Sequence, residues 1–572
     1  MERLWQKINS LDTKLVGAIF LALSLILYGN TLANRFVWDD QLLIVDNELI
    51  KEWKYFPQYF STYLYPSTGD AGDYWRPMQT ISFALNYHLA GLNPFIYHLE
   101  NILWHALAAL LAYVTLAKVF SSKQAAFWGA LIFLIHPLQT EAITYVSGGA
   151  DPLLAVFLFL SFFFFQKYAG KNGRKYFFLS IAFFALSFLA KERAILFPGI
   201  ILLYLFTLFP EKSGLDWKNK LLLFLPFATV NVLYLAFRKF VLPIQAAGLF
   251  TDGAFAFSKT AGIFFKFIGT YIHLFFFPEK LFMERPIAMT GFFDPAAWIG
   301  FGFCVFSLAG FLVSLRKKRV WAFGLGWFWI FFIFSFFSFL RMGFLMEHWL
   351  YLPMLGPLVP LFLFLEKRFF AIRSAFARIS VFSLFVLAVI FFSWLTIARN
   401  REWQEPISFY ETNIARGAES GKIYNNLGME YAAVGRDTEA IGFFEKAMEL
   451  DSRLFGPWYN LAAIYEKFGD LESAEKNYLA ALERDPAELS IYENLQTIYN
   501  AQGKLEEAIR VTEQSLATNP ADAFMLANLG LLYESRGEPE KARFSLERAL
   551  DLEPDNLPYR EALDRIKLEH NE

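Results

Sequence analysis

A helix needs about 20 mostly apolar residues to cross a bilayer, and this chain supplies such runs repeatedly between residues 15 and 397. Leu15–Leu32, Leu99–Val119, Lys220–Phe237 and Ile379–Ile397 qualify outright. Further runs lie near Phe127–Ile135, Asp151–Phe165, Tyr176–Leu189, Ala194–Leu208, Trp298–Leu315, Trp321–Phe339 and Leu350–Leu365. The 68 Phe among 572 residues belong to this pattern and are far above soluble usage. The first run has no small-residue cleavage site and others follow it, so it is read as an anchor and not a removed signal. An apolar bundle of membrane helices is the consequence.

Lys and Arg clusters orient such helices. Arg3, Lys7 and Lys14, the loop Lys167–Lys175, Arg316–Arg319 and the stretch Lys367–Arg378 are read as inside markers. They agree if Gly262–Phe277 is re-entrant or interfacial, which gives eleven crossings with the N-terminus inside and the C-terminus outside. Residues 33–97, 136–151, 191–193 and 341–349 are then outside, with everything after residue 400.

The last third is different. Residues 1–400 hold 34 Lys+Arg against 21 Asp+Glu, and residues 401–572 hold 18 against 33. Here Asn-Leu-x-x-x-Tyr recurs, with Leu at 427, 461, 495 and 529, Gly at 435, 469, 503 and 537 and Ala at 440, 474, 508 and 542. This 34-residue period is the tetratricopeptide signature. Gly ends the first helix of each repeat, and Ala lets the two helices approach. Four repeats and a capping helix over residues 421–572 are expected, since an open end would expose apolar surface. Residues 1–400 form the membrane domain, and 401–420 a linker and entry helix. Such solenoids serve as binding surfaces for proteins or peptides; a spacer or dimerisation arm is the plainer role.

Charges kept beside membrane spans tend to serve function. Adjacent carboxylates at Asp39 and Asp40 repel, which raises one pKa and suits a general base; a capped, solvated loop is the plain reading. Arg76, between Trp75 and Pro77, can hold a phosphate or simply snorkel. His136, Glu141 and Asp151 flank a turn at Ser147-Gly148-Gly149. Lys191-Glu192-Arg193 sits between two apolar runs, as an internal ion pair or a cation for phosphate. Glu347-His348 enters another span. No phosphate-binding loop, dinucleotide fingerprint or Cys/His metal spacing occurs. The single Cys304 excludes a disulfide framework. Asp39 and Asp40 could hold a divalent ion, but nothing completes its shell, and no cofactor is implied. The acidic repeats exclude a nucleic-acid partner.

Phe36-Val-Trp-Asp-Asp40, Arg76-Pro77, His136-Pro-Leu-Gln-Thr-Glu-Ala142, Gly149-Ala-Asp151, Lys191-Glu192, Glu347-His-Trp-Leu-Tyr-Leu-Pro353 and the repeats, in this order, resemble the transmembrane and tetratricopeptide-repeat O-mannosyltransferases and their bacterial relatives. That group lies in the GT-C superfamily of membrane glycosyltransferases, and the resemblance covers nearly the whole chain. It implies an all-α protein: a GT-C-like transmembrane bundle followed by a tetratricopeptide α-solenoid. The implied activity is inverting transfer of mannose or a similar hexose from a polyprenyl-phosphate donor to a hydroxyl acceptor on the non-cytoplasmic side. The lipid-linked sugar is substrate, and the repeats recruit the acceptor. By position the base is Asp39 or Asp40, with Asp40 preferred. Arg76, Lys191 and Arg193 are candidates for the donor phosphate, and His136, Glu141, Asp151, Glu192, Glu347 and His348 for the cavity lining. The resemblance breaks at Gly149, where the family usually has Arg; if that Arg handles phosphate, another cation must replace it or the activity differs. For a bacterial chain the location implied is the inner membrane, with the repeats periplasmic.

Two other classes compete. A non-enzymatic scaffold for envelope proteins would need only one span, so eleven with polar outside loops are unexplained. A transporter or flippase would place charges near the midplane on broken, paired helices, whereas these charges lie at span ends.

Overall fold

The computed structural model describes residues 10–62, 64, 74–170, 173–209, 216–242, 257–287, 294–317 and 319–569. The orientation markers Arg3, Lys7, Lys171 and Lys318 lie outside the described residues. The chain divides into two compact units, one ending at Ala418 and the other beginning at Glu419.

The first unit is helical. Its helices are α1 (Thr13–Tyr28), α2 (Pro77–Ala90), α3 (Pro94–Phe120), α4 (Lys123–Ile135), α5 (Thr140–Thr144), α6 (Ala150–Ala169), α7 (Lys175–Ala190) and α8 (Phe197–Thr207), then α9 (Trp217–Phe240), α10 (Phe257–Phe276), α11 (Pro295–Lys317), α12 (Arg319–Met342), α13 (Leu355–Ala371), α14 (Ala375–Arg401) and α15 (Pro406–Ala415). Two short strands, β1 (Arg285–Pro286) and β2 (Phe344–Leu345), pair antiparallel.

Among the described residues seven helices are long and apolar enough to cross a membrane, and α4 with the bent segment Pro137–Thr144 makes an eighth. Of the eleven expected crossings, α7, α8 and α13 are shorter, at 16, 11 and 17 residues. The segment expected to be re-entrant or interfacial is the regular helix α10, packed along α11.

Lipid offers no solvent-driven reason for helices to associate, so close backbone approach through small residues matters more than in water. Gly269 of α10 faces the Ala296 carbonyl and Gly300 of α11 faces the Phe265 carbonyl, each with no room for a Cβ. Gly324 and Gly356 make the same kind of crossing between α12 and α13. The first and last spans are joined by amides. Asn400 Nδ2 donates to the Leu27 carbonyl at 2.8 Å and to Asn30 Oδ1 at 2.9 Å, while Asn34 donates to the Asn400 carbonyl at 3.1 Å. Thr144 Oγ1 donates to Asn400 Oδ1 at 2.8 Å, which ties α5 to the same knot.

Residues 401–418 are no free linker. The Trp38 amide donates to the Tyr410 hydroxyl at 3.1 Å, and the Met283 amide to Asn413 Oδ1 at 2.7 Å. Buried Trp403, Phe409 and Tyr410 make α15 part of the membrane unit's fold.

The second unit contains α16 (Gly421–Ala433), α17 (Asp437–Leu450), α18 (Gly456–Lys467), α19 (Leu471–Arg484), α20 (Leu489–Gln502), α21 (Leu505–Thr518), α22 (Ala523–Arg536), α23 (Pro539–Leu552) and α24 (Leu557–Glu569). Neighbouring pairs give four repeats and the expected cap, with Leu563 and Ile566 of α24 buried. Gly435, Gly469, Gly503 and Gly537 have φ between +71 and +80°, where a Cβ is strained. Ala440, Ala474, Ala508 and Ala542 are fully buried.

The glycine crossings predict that Gly269→Ala destabilises the membrane unit by about 1–3 kcal/mol, the usual cost of overpacking. Gly302→Ala, whose added carbon meets nothing within 4 Å, should leave the melting temperature in detergent unchanged or slightly raised.

Candidate functional site

The chain leaving α1 turns sharply at Trp38, which holds φ +58°. A left-handed non-glycine residue costs about 1–3 kcal/mol, and the Tyr410 hydroxyl bonded to the Trp38 amide helps hold it there. The turn directs Asp40 inward. Its Oδ1 accepts from the Ser147 amide at 2.8 Å and the Ser147 hydroxyl at 2.5 Å, and its Oδ2 accepts from the Val37 amide at 3.3 Å. Asp40 is fully buried, and burial pushes its carboxyl up to about 7 against the pull of those three donors. Asp39, beside it, is half-buried.

Ser147 is held close by two glycines. A Cβ on Gly148 would collide with the Glu141 carbonyl, and one on Gly149 with Asn101 Oδ1. Asn101, on α3, donates to the carbonyls of Ile143, Tyr145 and Val146 at 3.0–3.2 Å. An Arg at position 149 therefore has no space here. Upstream, Pro137 helps bend the chain by 59°. The segment 136–151 packs into the bundle, with Gln139, Thr140 and Glu141 at 0% exposure.

Glu141 meets His348 inside. The His348 amide donates to Oε2 and the ring Nδ1 lies against Oε1, each at 3.0 Å. His348 Nε2 is 3.9 Å from Asp151. Asp151, in the first turn of α6, accepts from Lys191 Nζ at 2.8 Å. Burial presses the Lys191 ammonium down to about 8, with Asp151 opposing and Arg76 and Arg193 adding to the fall. Arg76, at the head of α2, grips Glu192 with two bonds of 3.1 and 2.9 Å. Burial works against the Glu192 charge, but Arg76 and Lys191 hold the carboxyl down at about 2. The Arg76 guanidinium lies 4.7 Å from the Tyr74 ring, and Tyr74 feels Glu192, Arg76, Arg193 and Asp39 together.

Arg193 is bonded differently. It is 6% exposed, and its guanidinium stands 5.7 Å from the rings of both Phe334 and Trp349. Among the described residues it makes no hydrogen bond or ion pair. Burial lowers its pKa, while the charges of Asp151 and Glu192 oppose that. Aromatic faces partly replace lost water for a cation, and here they flank a guanidinium that feels the charges of Asp151 and Glu192.

Arg76, Glu141, Asp151, Lys191, Glu192, Arg193 and His348 thus form one polar cluster, and Asp40, next to Asp39, is bonded to Ser147, which lies between Glu141 and Asp151 in the chain. Glu347 makes its ion pair outside this cluster, with Arg399, while feeling the Glu141 charge. Its Oε1 is 3.5 Å from Arg399, whose other nitrogen donates to Glu402, which in turn holds Arg416. Burial raises the Glu347 carboxyl to about 7 against Arg399. His136 is not in the cluster either. Its Nε2 meets the Phe275 carbonyl at 2.9 Å and its Nδ1 accepts from the Leu138 amide at 3.2 Å, so both nitrogens are spent pinning the bend to α10. Among the described residues no group of three His, Cys, Asp or Glu side chains is placed to hold a metal.

Asn101 and Arg399 escaped the sequence reading, and Ser147 and Trp349 stood in its motifs without a role. The available clue was a polar side chain within an apolar run, as for Asn101 and Arg399.

A carboxyl whose folded pKa is raised stabilises the fold below its unfolded value, and that stability is lost as pH rises through the folded value. Asp40→Asn should therefore gain melting temperature relative to wild type as pH goes from about 4 to about 7. A constant difference across that window would show that Asp40 is ionised throughout.

Residues 77–236 match the family model described as dolichyl-phosphate-mannose-protein mannosyltransferase. Residues 419–487 and 523–556 match tetratricopeptide-repeat models. Protein O-mannosyl-transferase TMTC1 of Mus musculus is 33% identical over 205 residues, which is 33% of this chain and 22% of that protein. Protein O-mannosyl-transferase TMTC3 of Mus musculus is 30% identical over 197 residues, 31% of this chain and 20% of its own length. The chain thus spans about a fifth of the length of these curated relatives. Among solved structures, the crystal structure of MamA aligns over 26% of this chain and 86% of its own, at 22% identity and a TM-score of 0.24. The matched segment contains Glu141, Asp151, Lys191, Glu192 and Arg193. The chain therefore joins to tetratricopeptide repeats a membrane segment that is similar, over residues 77–236, to that mannosyltransferase family model, and over about a third of its length it is similar to protein O-mannosyl-transferases.

Proposed function

We propose that this integral-membrane protein is a glycosyltransferase moving mannose or a similar hexose from a polyprenyl-phosphate donor to a hydroxyl on a protein acceptor. The observation that carries this reading is the gathering of three cations, Arg76, Lys191 and Arg193, in one place, where Arg193 makes no hydrogen bond or ion pair among the described residues. A phosphate matches these cations in charge. As the acceptor oxygen attacks the anomeric carbon, the bond from that carbon to the phosphate oxygen breaks and its electron pair passes to the phosphate. Arg193, with Lys191 and Arg76 nearby, stabilises the growing charge without reorganising.

The acceptor proton goes to Asp39. Asp40 has both oxygens bonded within the fold and none exposed, so it braces the turn, while half-buried Asp39 carries the reactive carboxylate. Attack opposite the departing phosphate inverts the anomeric centre. The chemistry takes place on the non-cytoplasmic side, as the Lys and Arg pattern favours, and the repeats recruit the acceptor. In a bacterium this is the inner membrane.

Transfer from polyprenyl-phosphate mannose should be measured in membranes carrying each variant at matched abundance. Asp39→Asn should cut turnover by about 10²–10⁴, the usual weight of a general base. Arg193→Gln should lower kcat by a comparable factor, since it removes charge at the leaving group. Asp40→Asn should act chiefly through stability. Full activity in Asp39→Asn with loss in a folded Asp40→Asn would reverse the base assignment. No transfer by the wild type across a broad donor and acceptor panel would sink the enzyme reading.

A further inference from the structure

A second feature of the membrane unit lies where α13 turns into α14. Lys367, Arg368, Arg373 and Arg378 fall within 12 residues, beside the single acid Glu366. Between α13, α14 and Trp128 of α4 lies a recess of about 480 Å³. Its walls are Trp128, Phe362, Leu365, Phe369, Phe382 and Phe385, and Arg368 sits among them. Phe385 meets Trp128 and Phe362 edge-on at 5.0 and 5.8 Å, so these rings brace one another on one side of the recess. The Arg368 guanidinium lies 5.2 Å from the Phe364 ring. A polar recess of about 700 Å³ is lined by Lys123, Gln124, Glu366 and Lys367, again at the end of α13.

The chemistry of the walls selects the occupant. A peptide would bury N–H and C=O groups against carbon, at a cost of several kcal/mol each. An acyl chain brings no such groups. A neutral lipid would fill the slot but leave the basic mouth without counter-charge, whereas an anionic headgroup meets Arg368 and its neighbours. We propose that this recess binds an anionic phospholipid, one acyl chain along the walls formed by Leu365, Phe369 and Phe382 and the phosphate on Arg368, with Arg373 near in the chain. The site is independent of the glycosyltransferase reading.

The test uses the full chain in detergent with added phosphatidylglycerol, phosphatidylcholine or polyprenyl phosphate, read by native mass spectrometry. Wild type should keep phosphatidylglycerol at least fivefold more than phosphatidylcholine, and R368Q/R373Q should abolish that preference with its melting temperature unchanged. A phosphatidylglycerol carrying a photoreactive acyl group should cross-link wild type within residues 362–385, a readout that stands even if the variant fails to fold. Equal retention of the two phospholipids, cross-links elsewhere, or retention of polyprenyl phosphate alone would overturn the proposal.

Discussion

Lys191 and Asp151 have side chains 7% and 3% exposed and bond at 2.8 Å, and much of the membrane unit is arranged around such pairs. Ionised groups in a low-dielectric interior are tolerated only when paired and further hydrogen-bonded. Arg76 with Glu192 meets the same demand from another helix, and His348 bonds Glu141 through its amide and its ring. Removing one partner leaves a buried charge alone, so the pairs bind α2, α5, α6 and the turns at 191–193 and 347–350 into one frame. Arg193 departs from that rule, with two aromatic rings where a carboxylate would be expected. That departure makes the frame a candidate site as well as a support.

Bringing these groups together required breaks in regular structure. Pro137 bends an apolar run so that Glu141 points inward. Gly148 and Gly149 let the next turn pass against Glu141 and Asn101, which puts Ser147 within reach of Asp40. Trp38 accepts a left-handed conformation that presents both carboxylates. Helices alone would have left all of these residues at span ends. The amide knot at Asn400 then fixes the last span against the first.

The two units use glycine for opposite purposes. In the membrane unit Gly269, Gly300, Gly324 and Gly356 are needed for space, because backbones touch where a Cβ would stand. In the repeats Gly435, Gly469, Gly503 and Gly537 are needed for conformation, with nothing within 4 Å of the missing carbon. A solvated solenoid buries its apolar faces by stacking neighbours, while a bundle in lipid gains mainly from close contact.

The repeats were legible from the sequence because each is a local unit: a 34-residue period, an αL glycine and a buried alanine read the same in any tertiary context. Membrane character was legible because hydropathy acts on each run separately. The polar motifs could be recognised as chemically unusual, yet their partners lie far along the chain. Only the tertiary structure decided that Asp40 is enclosed and Asp39 half-buried, that His136 is spent on packing, and that Glu141 is buried. It also set Arg193 between two aromatic rings, put Asn101 where a side chain at position 149 would begin, and carried the membrane unit on to Ala418. Pairing and burial depend on which helices meet, and that is set by packing between distant segments, which no local period encodes.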